Sequence, residues 1–125
     1  MASLEHINLT VRDPKRTAAL LVELFDWRVR WEGESIHNGY TLHVGGQNSY
    51  LAIYGRDEKF DGELRTYDLV GGLNHVGIVV DDLEGVEKRV KAAGFSPHSH
   101  ADYEPGRRFY FKDSDGLEFE VIDYS

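Results

Sequence analysis

Two histidines of this chain stand at equivalent positions of an internal repeat. His6 opens the segment "HINLTV", and His75 opens "HVGIVV" 69 residues later; the same shift carries Asp13 onto Asp82. An imidazole can bind a metal ion or transfer a proton near neutral pH. A single histidine in a strand is more often a hydrogen-bonded structural residue. Because the histidine recurs in both copies, we predict that the two side chains serve one functional site.

The two copies predict the same order of secondary-structure elements. Each histidine begins a strand-like segment, and a helix-start signal follows it: Asp13 with Pro14 in the first copy, Asp81 with Asp82 in the second. Three further strand-like segments follow each helix, at 27–33, 39–45 and 49–55 and then at 95–101, 107–113 and 117–124. The prediction is an α+β fold of two βαβββ modules, which form a curved mixed sheet cup with the helices on its outer face.

The chain is long enough for one domain, at residues 1–125. We predict module one at 1–56 and module two at 72–125. The polar stretch between them, at 57–71, has no counterpart in the second copy and is predicted to be a linker.

Composition excludes several classes of function. The chain has no cysteine, so disulfides, thiol catalysis and thiolate metal sites are excluded. Its net charge of −8 argues against nucleic acid or an anionic membrane as a partner. No apolar run is long enough to cross a bilayer, and the first residues do not form a signal peptide. We therefore expect a cytoplasmic protein that binds a small molecule.

Alternation along the strands predicts which side chains share a face of the sheet. In the first strand, Leu9 and Val11 form an apolar row that suits packing against a helix, which leaves His6 on the opposite face. The other strands alternate in the same way. The side chains that we expect on the surface not covered by helices are those of His6, His75, Arg108, Tyr110 and Glu120.

Three segments carry a resemblance to a known family: "LEHINLTV", "LNHVGIVV" and "DSDGLEFEVIDY". They resemble the vicinal oxygen chelate superfamily, and the likeness extends over essentially the whole chain. This superfamily includes glyoxalases, extradiol ring-cleaving dioxygenases, fosfomycin-resistance thiol transferases and bleomycin-resistance binding proteins. Its pattern is a histidine near the start of each module and a glutamate four residues after the glycine of a turn. The resemblance implies metal ligands at His6, His75 and Glu120; Glu118 is the alternative if the turn register is shifted by two residues.

The implied ligands are two imidazoles and one carboxylate, which suit a divalent first-row metal and leave positions open for substrate or water. Fe(II) and Mn(II) are the first candidates, and zinc and nickel are the alternatives. The fourth ligand position of the family falls at Ala52, or at Leu51 if the turn is aligned without a gap, and neither can bind a cation. A site with three protein ligands resembles that of the extradiol dioxygenases and the fosfomycin enzymes more than that of the four-ligand glyoxalases.

Two further residues are candidates for catalysis. The resemblance implies that Tyr110 hydrogen-bonds a metal-bound oxygen of the substrate; a core aromatic is the alternative. His43 is a candidate for proton transfer or substrate binding, and a solvated strand histidine is the alternative. The shift of 69 residues that aligns the two copies carries Thr41 onto Tyr110 and His43 onto Lys112.

The remaining candidates concern binding. Arg108, at the predicted rim of the cup, could hold a substrate carboxylate or phosphate, or lie in a solvated turn. Tyr50 and Ala52 are candidates for the wall of the substrate pocket. His98 and His100 resemble a second metal-binding pair, because alternate residues of a strand share a face; a polar edge strand is the alternative.

The leading prediction is a metal-dependent enzyme that binds a small molecule through two vicinal oxygens. Extradiol-dioxygenase-like chemistry comes first, and glyoxalase-like isomerisation (a lyase) or thiol transfer are the alternatives. A bleomycin-resistance-type protein that binds its ligand without chemistry is the alternative from another class. The sheet edges of each module and the resemblance also predict a homodimer, in which the three ligands come from one chain or from two.

Overall fold

A computed structural model describes residues 2–57, 66–103 and 106–125. The chain divides into two units, at residues 1–60 (unit one) and 61–125 (unit two). Unit one contains β1 (His6–Thr10), α1 (Pro14–Phe25), β2 (Arg28–Ser35), β3 (Gly39–Gly45) and β4 (Tyr50–Gly55). Unit two contains β5 (Val76–Val79), α2 (Leu83–Ala92), β6 (His98–Tyr103), β7 (Gly106–Lys112) and β8 (Glu118–Asp123). Single 3₁₀ turns lie at Ile36–Asn38 and Thr66–Asp68.

The two units have the same topology. Each contains one four-stranded mixed sheet, with the order β1-β4-β3-β2 in unit one and β5-β8-β7-β6 in unit two. The first strand of each unit is parallel to the last, and the other neighbours are antiparallel. The predicted α+β class with two βαβββ modules is confirmed. Most of the predicted linker, at 58–65, lies outside the described residues.

Both helices begin where their capping residues predict. The Asp13 carboxylate accepts a hydrogen bond from the backbone N–H of Arg16 at 3.2 Å, and Pro14 is the first helical residue. At α2, the Asp82 carboxylate accepts from the N–H of Gly85 at 3.1 Å. These caps satisfy backbone donors that have no partner inside the helix.

The buried core of each unit lies between its helix and one face of its sheet. In unit one, Leu21 and Leu24 of α1 are buried with Val44 and Ile53 of the sheet. In unit two, the core is more aromatic, since Phe111 stacks on Phe119 with ring centroids 5.1 Å apart. Burial of each such side chain contributes about 1.5–3 kcal/mol to folding.

The opposite face of each sheet carries the polar side chains. Along β1, His6, Asn8 and Thr10 are exposed, whereas Leu9 is buried. The predicted alternation is therefore present, and it sets the directions of the candidate functional residues. Within the described ranges, no helix is long and apolar enough to cross a membrane.

Candidate functional site

His75 and Glu120 lie side by side in unit two. His75 directly precedes β5, and Glu120 is on β8, the parallel neighbour of β5. Nε2 of His75 is 3.1 Å from Oε2 of Glu120, and the two side chains are 31% and 14% exposed. Glu118 is farther from the ring, with Oε1 3.9 Å from Nδ1 of His75. Of the two glutamates, Glu120 is therefore the closer partner of His75.

Arg108 contacts the other oxygen of the same carboxylate. Its Nη1 donates a hydrogen bond to Oε1 of Glu120 at 2.9 Å, and its side chain is 12% exposed. An arginine on one carboxylate oxygen limits the directions that the second oxygen can take. Arg108 thus orients Glu120 towards His75. The binding of substrate by Arg108 stays a prediction.

Tyr110 is the cross-strand partner of Glu120 between β7 and β8. Its ring meets that of His75 edge to face, with centroids 5.7 Å apart and an angle of 86°. Unit two therefore brings together four of the predicted site residues: His75, Arg108, Tyr110 and Glu120.

His6 lies in a cluster of aromatic rings in unit one. Its Nδ1 is 2.8 Å from Oε1 of Glu5, and its ring stacks on that of Tyr50 with centroids 4.9 Å apart. The Tyr50 hydroxyl donates to the same Glu5 oxygen at 3.1 Å. The hydrogen bonds from His6 and then Tyr50 lower the pKa of the Glu5 carboxyl. Glu5 was not predicted; the only signal in the sequence is an acidic residue next to a candidate ligand.

His43 lies on the other side of Tyr50, with ring centroids 4.4 Å apart. The Trp31 ring is 5.0 Å from that of His43. Burial lowers the pKa of His43, and its electrostatic interactions with His6 and Arg30 lower it further. The lowered pKa favours the neutral form of the imidazole, which is the form that can accept a proton.

The strand pairings identify which residues of the two units are equivalent. Asn8 pairs with Ala52 in unit one, and Gly77 pairs with Glu120 in unit two. Ala52, which is 3% exposed, therefore occupies the position that corresponds to Glu120. Leu51, the alternative, occupies the preceding position.

The same pairings correct the predicted match of Thr41 to Tyr110. His43 pairs with Ala52, and Tyr110 pairs with Glu120, so His43 is the residue equivalent to Tyr110. The constant shift was wrong here because α1 has 12 residues and α2 has 10.

The predicted common face of His98 and His100 is also wrong. His98 stacks on Tyr110 at 6.2 Å, whereas His100 hydrogen-bonds Glu87 of α2. The pairing of β6 with β7 is irregular between His98 and Ala101, and Ser99 has a φ of 55°. Such an irregularity breaks the alternation on which the prediction depended.

Nε2 of His75 and Oε2 of Glu120 are within hydrogen-bonding distance of each other, and their separation also suits two ligands of one divalent metal ion. Ligand atoms at about 2.0–2.2 Å from one ion lie about 3 Å apart when they are adjacent in its coordination shell, as these two atoms do. Gly77, the register partner of Glu120, also leaves room, since a Cβ there would meet no atom within 4 Å. His6 belongs to unit one, and the described residues of either unit alone contain no group of three such ligands.

A cavity of about 470 Å³ opens on the same face of the unit-one sheet as His6. Most of the residues that line it have polar side chains, and one of them is an arginine: Asn8, Thr10, Ser35, Ile36, His37, Tyr54 and Arg56. Alternation did not predict this cavity, because its wall includes the 3₁₀ turn after β2.

The solved structures that share this fold include proteins whose names refer to enzymes and proteins whose names refer to ligand binding. A glyoxylase/bleomycin resistance protein/dioxygenase domain from Frankia sp. EAN1pec has a TM-score of 0.81 and 22% identity, over 100% of this chain and 99% of that one. The fosfomycin resistance protein FosX from Listeria monocytogenes, complexed with Mn(II) and sulfate, has a TM-score of 0.75 and 22% identity, over 100% and 94%. The antibiotic binding protein TnmS3 from Streptomyces sp. CB03234 has a TM-score of 0.75 and 16% identity, over 100% and 98%.

No curated protein matches the chain in sequence. A family model matches residues 3–121 and agrees with the repeated βαβββ topology. The chain therefore belongs to the Glyoxalase/Bleomycin resistance protein/Dioxygenase superfamily.

Proposed function

We propose that this protein is a metal-dependent enzyme whose divalent cation is bound by His6, His75 and Glu120. The observation that carries the proposal is the 3.1 Å separation between Nε2 of His75 and Oε2 of Glu120, with Arg108 on the other carboxylate oxygen. Fe(II) and Mn(II) are the proposed metals, with zinc and nickel as alternatives. The presence of Mn(II) in the FosX structure supports a metal of this kind.

The cation, when bound, supplies a Lewis acid for two neighbouring oxygens of a small substrate. The residues of the chain position that substrate and accept a proton from it. Arg108 holds Oε1 of Glu120, which keeps Oε2 directed at His75. Tyr110, beside His75, donates a hydrogen bond to a substrate oxygen. His43, whose lowered pKa favours the neutral imidazole, accepts a proton, and Tyr50 and Ala52 form part of the pocket wall.

Extradiol-dioxygenase-like ring cleavage with Fe(II) is the first proposed reaction, and isomerisation or thiol transfer are the alternatives. Anaerobic reconstitution with each metal, followed by oxygen uptake with a panel of catechols, tests the first. Parallel assays with a hemithioacetal and with an epoxide plus a thiol test the others. Oxygen consumption that depends on Fe(II) supports the first reaction, and failure of the reconstituted protein in all three assays contradicts the enzymatic proposal.

Glu120→Ala is expected to remove bound metal while the fold remains intact, because the carboxylate ligand is lost. The matched control is Glu23→Ala, which removes an exposed carboxylate from α1, and Glu118→Ala is compared with Glu120→Ala to test the alternative register. Metal content is measured in untagged protein purified without chelator, and circular dichroism checks the fold. Wild-type metal content in Glu120→Ala contradicts the ligand assignment.

A ligand-binding protein without chemistry is the second candidate. The stacked rings of His6, Tyr50 and His43 favour it, together with Trp31, whose side chain is half exposed. The name of TnmS3 supports the same class. If the protein binds no metal and planar aromatic compounds still quench its tryptophan fluorescence, the result supports ligand binding without chemistry. Quenching that requires a bound metal contradicts this second candidate.

The proposed homodimer is tested by light scattering after gel filtration.

A further inference from the structure

Glu5 is the hydrogen-bond partner of His6 on the side of Nδ1. The separation of 2.8 Å is that of a strong hydrogen bond, and Tyr50 holds the same Glu5 oxygen from a second direction. The stacking of Tyr50 on the imidazole ring, at 11° from parallel, restrains the orientation of the His6 ring. The three side chains therefore form one unit of structure around β1 and β4, since His6 and Tyr50 are register partners.

The chemistry of this contact determines where His6 carries its proton. An ionised carboxylate can only accept hydrogen bonds, so Nδ1 of His6 must be the donor. In a neutral imidazole the second nitrogen, Nε2, then has a free lone pair, and this is the form that binds a metal. Without an acceptor at Nδ1, a histidine in water prefers the proton on Nε2, which blocks that nitrogen as a ligand.

His75 has a related arrangement in unit two. Its Nδ1 is 3.4 Å from the Tyr67 hydroxyl and 3.9 Å from Oε1 of Glu118, and its Nε2 is directed at Glu120. In both units, an oxygen of an acidic side chain thus lies on the Nδ1 side of the repeated histidine. The contact of Glu5 is the shorter of the two.

We propose that Glu5 is a positioning residue of the metal centre, which accepts the Nδ1 proton of His6 and so leaves Nε2 as the ligand atom. This inference rests on the proposed function, because it assigns to His6 a role towards the cation. Partners of this kind outside the ligand set alter metal affinity by about 10–100-fold when they are removed.

The first test is the tautomer of His6 in metal-free protein, measured from two-bond ¹H–¹⁵N spectra at about pH 8, where most imidazoles are neutral. The wild type is expected to have its proton on Nδ1. Glu5→Ala is expected to move the proton towards Nε2, and Glu5→Gln is expected to keep the wild-type pattern, because the amide oxygen still accepts. Glu23→Ala, which removes an exposed charge from α1, is the matched control and leaves the tautomer unchanged.

The second test is the affinity for Mn(II). Glu5→Ala is expected to weaken binding by about 10–100-fold. Glu5→Gln is expected to recover much of this loss, although it lacks the same charge, which separates the hydrogen bond from electrostatic attraction. Glu23→Ala is expected to bind like the wild type.

Either of two results overturns the proposal: a wild-type His6 with its proton on Nε2, or a tautomer shift in Glu5→Ala without loss of Mn(II) affinity. A wild type that has the expected tautomer but binds no divalent metal overturns the proposed function instead. Failure of the proposed role of Glu5 and failure of the proposed function therefore give different experimental results.

Discussion

Glu120 has different partners on its two carboxylate oxygens. Oε1 accepts from Arg108, and Oε2 faces His75, while the side chains of Glu120 and Arg108 are both less than 15% exposed. At this depth an arginine–carboxylate hydrogen bond is worth more than at the surface, and loss of one partner leaves a charge in a poorly hydrated place. The same contact thus affects both the stability of unit two and the geometry of its candidate ligands.

Arg108→Met is expected to lower the free energy of unfolding by about 2 kcal/mol, because the Glu120 carboxylate loses a charge-assisted hydrogen bond. Urea denaturation of the metal-free protein measures the change. Lys88→Met on α2, where the side chain is exposed, is the matched control with an expected change below about 0.5 kcal/mol. Equal losses in the two variants would show that Arg108 has no special part in the fold.

The turn between β7 and β8 positions both glutamates of β8. The Asp113 carboxylate accepts from the backbone N–H groups of Asp115 and Leu117, at 2.9 and 3.0 Å, directly before the strand begins. Gly116 completes the turn with a φ of 81°, a conformation that glycine adopts without strain. Asp113 is 8% exposed, and its burial raises the pKa of this carboxyl. The turn therefore contains a carboxylate whose charge is disfavoured by folding.

A carboxyl group whose pKa is raised in the folded state makes the folded protein less stable as the pH increases. Asp113 contributes fully below its unfolded pKa of about 3.9, and this contribution is lost as the pH rises through the folded pKa. Asp113→Asn retains the accepting oxygen but does not ionise. The free energy of unfolding of the wild type minus that of Asp113→Asn is therefore expected to be larger at about pH 4 than at about pH 7.

Urea denaturation of both proteins at the two pH values measures this difference, in which the other carboxyl groups cancel. Asp113→Ala serves as the comparison, since it loses both accepted hydrogen bonds; it is expected to be less stable than Asp113→Asn by about 2 kcal/mol at either pH, because neither residue ionises. A difference between wild type and Asp113→Asn that does not vary with pH contradicts the expected effect of burial.

The molecule as a whole is a duplicated βαβββ unit in which the copies have diverged in their candidate ligands. Unit one contributes His6 and has Ala52 where unit two has Glu120. Unit two contributes His75 and Glu120, the pair at 3.1 Å. Under the proposed function, metal binding therefore requires a histidine from each unit, and a ligand that binds only the folded protein stabilises it.

Addition of Mn(II) at about 100 times its Kd is expected to stabilise the wild type by about 2.7 kcal/mol. His6→Ala and His75→Ala are each expected to abolish this increment, although they alter different units. Thermal unfolding with and without Mn(II) measures it. His100→Gln, a histidine that contacts Glu87 on α2, is the control and retains the increment. An increment that persists in His6→Ala contradicts the assignment of His6 as a ligand.

The fold and the faces of the strands were predictable from the sequence because their causes are local. Asp13 with Pro14 and Asp82 mark the helix starts, since capping involves residues three apart. A period of two along β1 and β8 predicts which side chains lie opposite the helices. The ligand set of His6, His75 and Glu120 remains a prediction, to which the structure adds the geometry of the His75–Glu120 pair.

Other features depend on contacts between segments that are distant in the chain, or on irregularities of the backbone. The pattern of residue types along the sequence does not specify such contacts or irregularities. Arg108 was predicted at the rim of the cup, either to hold a substrate anion or to lie in a solvated turn, and its hydrogen bond to Glu120 was not predicted. His98 and His100 lie on different sides because of an irregularity in β6, and His43 rather than Thr41 matches Tyr110 because the helices differ in length. The sequence alone thus determined the repeated topology and the candidate residues. The tertiary structure decided their partners, because cross-strand register and side-chain rotamers are set by packing and not by local spacing.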